Sequence, residues 1–143
     1  MSYRFLENTA IADVAFEATG RDFEELLRGA WEATLETIIP QPDLIEPVTS
    51  RPVHLEHNQA DLLLYDFLQE LLFYKDAESM LLRIDHIEVR KRGEGYRLDA
   101  LLVGERIDRF RHELNVDVKA VTLHQLRVER VDSEWRATVV LDV

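Results

Sequence analysis

DFEELLRGAWEATLETIIPQP, residues 22–42, reads as one amphipathic helix with both ends marked. Asp22 stands three residues before Glu25, the spacing of a capping box, and acidic side chains at that end favour the positive pole of a helix. Phe23, Leu26, Leu27, Ala30, Trp31, Leu35, Ile38 and Ile39 recur at steps of three and four, so they share a face. Pro40 and Pro42 stop the helix. An apolar stripe of this kind must be buried, and the segments on either side suggest what buries it.

Those flanking segments mostly alternate. Phe5 and Leu6 form a first short strand, and Val14, Phe16 and Ala18 alternate with Ala15 and Glu17 before Gly20. Val48–Glu56 is a weaker strand, confined to an edge or a bulge by Pro52. A second helix is expected after Asn58, with Asp61 in its first turn, running to about Lys75. Its leucines and aromatics cover most of its circumference, which predicts burial on several sides or cover from a partner. Leu82 and Ile84 have one parity and Ile87 and Val89 the other, so a bulge is expected near His86. Gly93-Glu94-Gly95 turns the chain into Tyr96, Leu98, Ala100 and Leu102. Val121 and Leu123 give way to Leu126 and Val128, a second phase change beside His124, and Trp135–Leu141 closes as a clean strand. The two histidines at these phase changes read as local backbone features. Strands interrupted by two long helices give an α+β fold, a single domain over residues 1–143 with both helices on a largely antiparallel sheet.

Composition narrows the function classes. The 143 residues, 46% of them apolar, suffice for a real core. The net charge of −11 argues against a general grip on nucleic acid phosphates. The excess sits in Met1–Met80, with 5 basic and 16 acidic residues, whereas Leu81–Val143 carries 12 of each. Such a surface either aids solubility or attracts a cation or a basic protein. With no cysteine there is no disulfide, thiolate metal site or cysteine nucleophile, which fits a reducing, cytoplasmic compartment. The apolar runs Leu62–Tyr65 and Leu71–Tyr74 are too short to cross a membrane, and the first residues lack the apolar stretch of a signal peptide.

Chemical motifs are scarce. The chain contains no GxxxxGK[ST], GxGxxG or HExxH pattern. His54 and His57, three apart in extended chain, point to opposite faces. Ser2, Ser50, Ser79 and Ser133 all lie in turn-like contexts with no triad around them. A self-sufficient enzyme is not indicated. Asp13 heads the Val14–Ala18 strand on the parity opposite to Val14. Asp142 ends the last strand, next to the carbonyl and terminal carboxylate of Val143. If these strand ends were neighbours, their hard oxygens would suit Ca²⁺, Mg²⁺ or Mn²⁺; otherwise they are two unrelated surface aspartates. Lysine is rare, with Lys75, Lys91 and Lys119 against fourteen arginines.

Several segments, in order along nearly the whole chain, resemble the archease family. They are Phe5–Ala10 with Asp13–Gly20, Leu64–Leu72 with Asp76-Ala77-Glu78 beyond it, Gly104-Glu105-Arg106-Ile107-Asp108 through Arg111-His112, and Val118–His124 with the terminal Val139–Val143. Where the family usually reads Asp-His-Thr-Ala-Asp, this chain has Glu7-Asn8-Thr9-Ala10, then Ile11-Ala12 before Asp13. An acid–histidine pair is therefore missing.

The resemblance implies an activator rather than a catalyst. It would be an accessory protein that promotes guanylylation and multiple turnover of an RtcB-type RNA ligase in tRNA splicing or RNA repair. It implies a divalent ion, Ca²⁺ first and Mg²⁺ or Mn²⁺ as alternatives, held by Asp13, Asp142 and Val143, and a role for Asp13 and Lys119 in ligase activation. Arg111, His112 and His124 become candidates to support that site or to meet the ligase. The partner is then the ligase, with no direct nucleic acid binding and no membrane. A small stand-alone metal-dependent enzyme and a general RNA or protein chaperone are the competing expectations.

Overall fold

A computed structural model describes residues 2–7 and 13–143. Among these, the chain runs β1 Ser2–Leu6, β2 Asp13–Gly20, α1 Phe23–Ile38, a short 3-10 turn Pro42–Leu44, β3 Thr49–His57 and α2 Ala60–Glu78. It continues through β4 Met80–Arg92, β5 Gly95–Arg106, β6 Ala120–Val121, β7 Arg127–Val131 and β8 Glu134–Asp142. The α+β expectation is met, with all strand pairs antiparallel. There are two sheets rather than one. The larger orders β1-β2-β8-β6, with β7 also on β8, and the smaller orders β3-β5-β4.

Both helices touch both sheets. α1 lies on β1, β2 and β8 of one sheet and on β4 of the other, while α2 contacts β3, β4 and β5 as well as β6 and β7. This explains why α2 is apolar around so much of its surface: Leu63, Leu64, Phe67, Leu68, Leu71 and Leu72 are all buried. The helices meet at Trp31 and Phe67, ring centroids 4.7 Å apart, and the Trp31 indole N–H donates to the Leu82 carbonyl at 3.0 Å. One continuous core results.

The ends of the elements follow local chemistry. Asp22 caps α1 by accepting from the Glu25 N–H at 2.8 Å, and the helix stops before Pro40. Pro52 sits in β3, which among the described residues pairs only with β5 and is thus an edge strand. The β4–β5 register shifts between Ile84 and His86, the expected bulge. Two expectations need correction. α2 continues past Lys75 to Glu78, because its end is set by Ser79 in the left-handed conformation (φ 53°). The phase change at His124 is a turn, with Gln125 at φ 60°, separating β6 from β7, which pair with successive stretches of β8.

Candidate functional site

The β2–β8 register places Asp13 directly opposite Asp142. On the same ladder Phe16 faces Val139 and Ala18 faces Ala137, all buried, so alternation sends both aspartates to the sheet face away from the helices. Each is half-buried. Directly opposed residues have Cβ atoms about 4.5–5.5 Å apart, and like charges there repel. On the other side of Asp142 runs β6: Ala120 pairs with it, and the Lys119 backbone N–H donates to its carbonyl at 2.8 Å. Val143 follows, half-buried. Three distant segments thus meet at one corner of the larger sheet.

The Lys119 side chain is exposed and lines an open hollow of about 330 Å³ with Gln69, Phe73 and Asp76 of α2. The neighbouring chain is held by Lys75, whose side chain is only 5% exposed. Its Nζ donates to Asp117 Oδ1 at 2.7 Å and to Asp76. Burial works to lower the pKa of Lys75, but the hydrogen bonds to Asp117 and Asp76 outweigh it and hold the ammonium above its ordinary value. Lys75 therefore anchors the approach to Lys119 and β6.

Arg111 and His112 gather elsewhere, around Glu105. The His112 side chain is fully buried; its Nδ1 accepts from the Asp108 N–H at 2.9 Å, which leaves the proton on Nε2, 3.3 Å from Glu105 Oε2. Glu105 also accepts from Arg111 and, at 2.6 Å, from the Glu46 N–H. Burial pushes this carboxyl up, but those donors, Arg111 foremost, hold it below the ordinary carboxylate range. The cluster ties the 107–112 chain to the Glu46 loop, and its hydrogen bonds reach neither Asp13 nor Lys119. From there the chain crosses to the end of α1, where the Asn115 N–H donates to Ile38 O at 2.8 Å, before reaching Lys119. His124 lies exposed in the turn after β6. His54 and His57 have separate partners, Asp99 and the Gln59 N–H.

The donor chemistry at the β2–β8 end suits a hard cation: two opposed carboxylates next to the Val143 carbonyl. Among the described residues no group of three or more His, Cys, Asp or Glu side chains gathers in metal-holding geometry, so the protein donors would be Asp13, Asp142 and the Val143 carbonyl. Glu7 is exposed, and Asn8 to Ala12, including the Ile11-Ala12 insertion, lie outside the described residues. A feature singled out only by the tertiary structure is an acidic hollow, where Tyr3, Glu32, Glu36, Asp43 and Arg83 converge from separate segments. The four-residue spacing of Glu32 and Glu36 was its only local sign. Among the described residues no helix is long and apolar enough to cross a membrane.

Comparison with known proteins bears on this geometry. Residues 3–143 match the archease protein family (MTH1598/TM1083). The archease of Methanopyrus kandleri is 33% identical over 143 residues, covering 100% of both chains, and that of Pyrococcus abyssi is 32% identical over 133 residues, covering 92% and 93%. The solution structure of Methanobacterium thermoautotrophicum protein 1598 superposes with a TM-score of 0.83 at 32% identity, covering 99% of this chain and 98% of that one. The Thermotoga maritima archease, described as a possible chaperone, shares the fold with a TM-score of 0.66 at 20% identity, covering 94% and 93%. By sequence along its whole length and by fold, the chain belongs to the archease family.

Proposed function

We propose that this protein activates an RtcB-type RNA ligase, promoting its guanylylation and repeated turnover in tRNA splicing or RNA repair, with a divalent cation held by Asp13, Asp142 and the Val143 carbonyl. The observation that supports this most is the meeting of Asp13, Asp142 and the Lys119 backbone at one sheet corner. When bound, the ion would supply charge neutralisation for nucleotidyl transfer in the ligase. Asp13 and Asp142 gather the negative charge that holds it. Lys119, whose backbone joins Asp142 while its side chain is exposed beside α2, offers an ammonium to a docked partner, and Lys75 with Asp117 sets the backbone that presents it. The acidic first half steers the encounter toward a basic protein surface. In this reading the protein works in the cytoplasm and meets the ligase, not the RNA.

The test is guanylylation of a cognate ligase with this protein at substoichiometric dose. Stimulation over many turnovers is expected, lost in Asp13→Ala and in Lys119→Ala, with circular dichroism and Tm showing intact folds. Normal multiple-turnover ligation with Asp13→Ala would sink the metal-site reading. Activity on small substrates without ligase would instead favour a stand-alone enzyme, and rescue of unrelated aggregating proteins or misfolded RNA a general chaperone.

A further inference from the structure

A cavity of about 600 Å³ opens between β1, the second half of α1, the Pro42–Leu44 turn and β4. Pro40 and Leu44 form accessible apolar walls over the buried Trp31 and Leu35, and Glu32, Glu36 and Asp43 place three carboxylates on the lining against one cation, Arg83. Arg83 is engaged in part by the Ile45 carbonyl, to which its Nη1 donates at 3.2 Å. Among the described residues, none of the three carboxylates takes part in an ion pair; those pairs involve other acids. α1 ends at this cavity with no basic residue in its last turn, so the negative pole of the helix adds to the same field. Burial raises the Glu32 carboxyl above its ordinary range. Burial, with Glu36 and Glu32 beside it, pushes the Tyr3 hydroxyl up to about 12. The lining is short of positive charge.

We propose that this cavity receives a guanidinium or alkylammonium side chain from a basic segment of a protein partner. The volume is far larger than a bare ion needs and falls within the range of organic-ligand sites, about 300–1,000 Å³. Apolar walls suit the methylene stem of arginine or lysine, while the carboxylates take its head. A chain segment fits better than a free cation because the hollow has an apolar neighbour. Beyond Glu36 and Pro40, which line both, a second hollow of about 340 Å³ is walled by Phe5, Val14 and Val116. Phe5 is 43% exposed there. The two hollows match a basic residue next to an apolar one, and Val14 adjoins Asp13, so such a segment would reach toward the β2–β8 corner. The site is distinct from that corner and does not depend on the ligase reading.

The test is a ¹⁵N NMR titration of the intact protein with Nα-acetyl-arginine amide, its citrulline counterpart, Nα-acetyl-leucyl-arginine amide and spermidine. Shifts at the Trp31 indole, Glu36 and Leu44 are expected with the arginine amide. The neutral citrulline compound should bind about tenfold more weakly, the leucyl compound several-fold more tightly, and Glu32→Gln/Asp43→Asn should weaken the arginine amide about fivefold with an otherwise unchanged spectrum. Equal binding of citrulline and arginine amides, shifts away from these residues, or a double variant that binds normally would overturn the proposal. Spermidine binding more tightly than the leucyl compound would overturn the partner-segment assignment and make this a polyamine site. No ligase is present, so failure here leaves ligase activation standing, and failure of activation leaves this site standing.

Discussion

Asp13, the first residue of β2, lies directly across the ladder from Asp142, the last residue of β8. Two carboxylates so placed repel, at a cost of about 0.2–1 kcal/mol, and a cation between them reverses the sign. Calcium should therefore raise the Tm of the wild-type protein, by the equivalent of about 2.7 kcal/mol at a hundredfold excess over Kd. Asp142→Asn should lose that rise while remaining folded. Melting curves in EDTA and in Ca²⁺ are the measurement; an equal rise in both proteins would remove Asp142 from the cation site.

Lys75 makes a second prediction because its two partners are so differently placed from itself. The lysine side chain is 5% exposed, whereas those of Asp117 and Asp76 are 69% and 58% exposed. Lys75→Met returns two carboxylates to water and keeps an apolar stem, so urea denaturation should show a loss of no more than about 1 kcal/mol. Asp76→Asn/Asp117→Asn leaves the ammonium buried without an anion and should cost about 3 kcal/mol. The pH dependence follows from the raised pKa of Lys75. The contribution is complete below the unfolded-state value of about 10.4 and is lost as pH rises through the folded-state value. The alkaline decline in Tm should accordingly be shallower in Lys75→Met.

Gly104 tests the close contact of β4 and β5. A Cβ built at this residue would lie 1.9 Å from the Leu81 carbonyl oxygen, a backbone atom with no freedom to turn aside. Gly104→Ala should destabilise by about 3 kcal/mol or more, through separation of the strands. Gly93, at φ +59° with nothing within 4 Å, is a contrasting control. There Gly93→Ala should cost only the backbone term, about 1–2 kcal/mol. Similar losses at both sites in thermal denaturation would contradict the steric account.

Much of the fold was legible because its signals are local. The Asp22 cap, the α1 stripe, the Pro52 edge strand and the shift at His86 each depend on neighbours within a few residues. The two corrections show where that locality ends. A change of parity at His124 looks the same whether one residue bulges out or the chain turns and starts a new strand, since both shift the phase. The end of α2 was hidden because Asp76-Ala77-Glu78 contains no breaker, and the stop comes from the conformation of Ser79.

The candidate site divides in the same way. Asp13 and Asp142 stood out as oxygens at strand ends, but their meeting required β2 to pair with β8, and Lys119 joined them only through β6. The acidic hollow at the end of α1 takes residues from β1, α1, the following turn and β4, and only the Glu32–Glu36 spacing on α1 is local. The −11 charge, the absence of thiols, the apolar periodicities and the family resemblance belong to the sequence by itself. Two sheets sharing two helices, and the particular carboxylates that face one another, were decided by tertiary structure. Periodicity dictates which face of a strand is buried; which strand lies beside it depends on hydrogen bonds and packing between residues far apart in the chain.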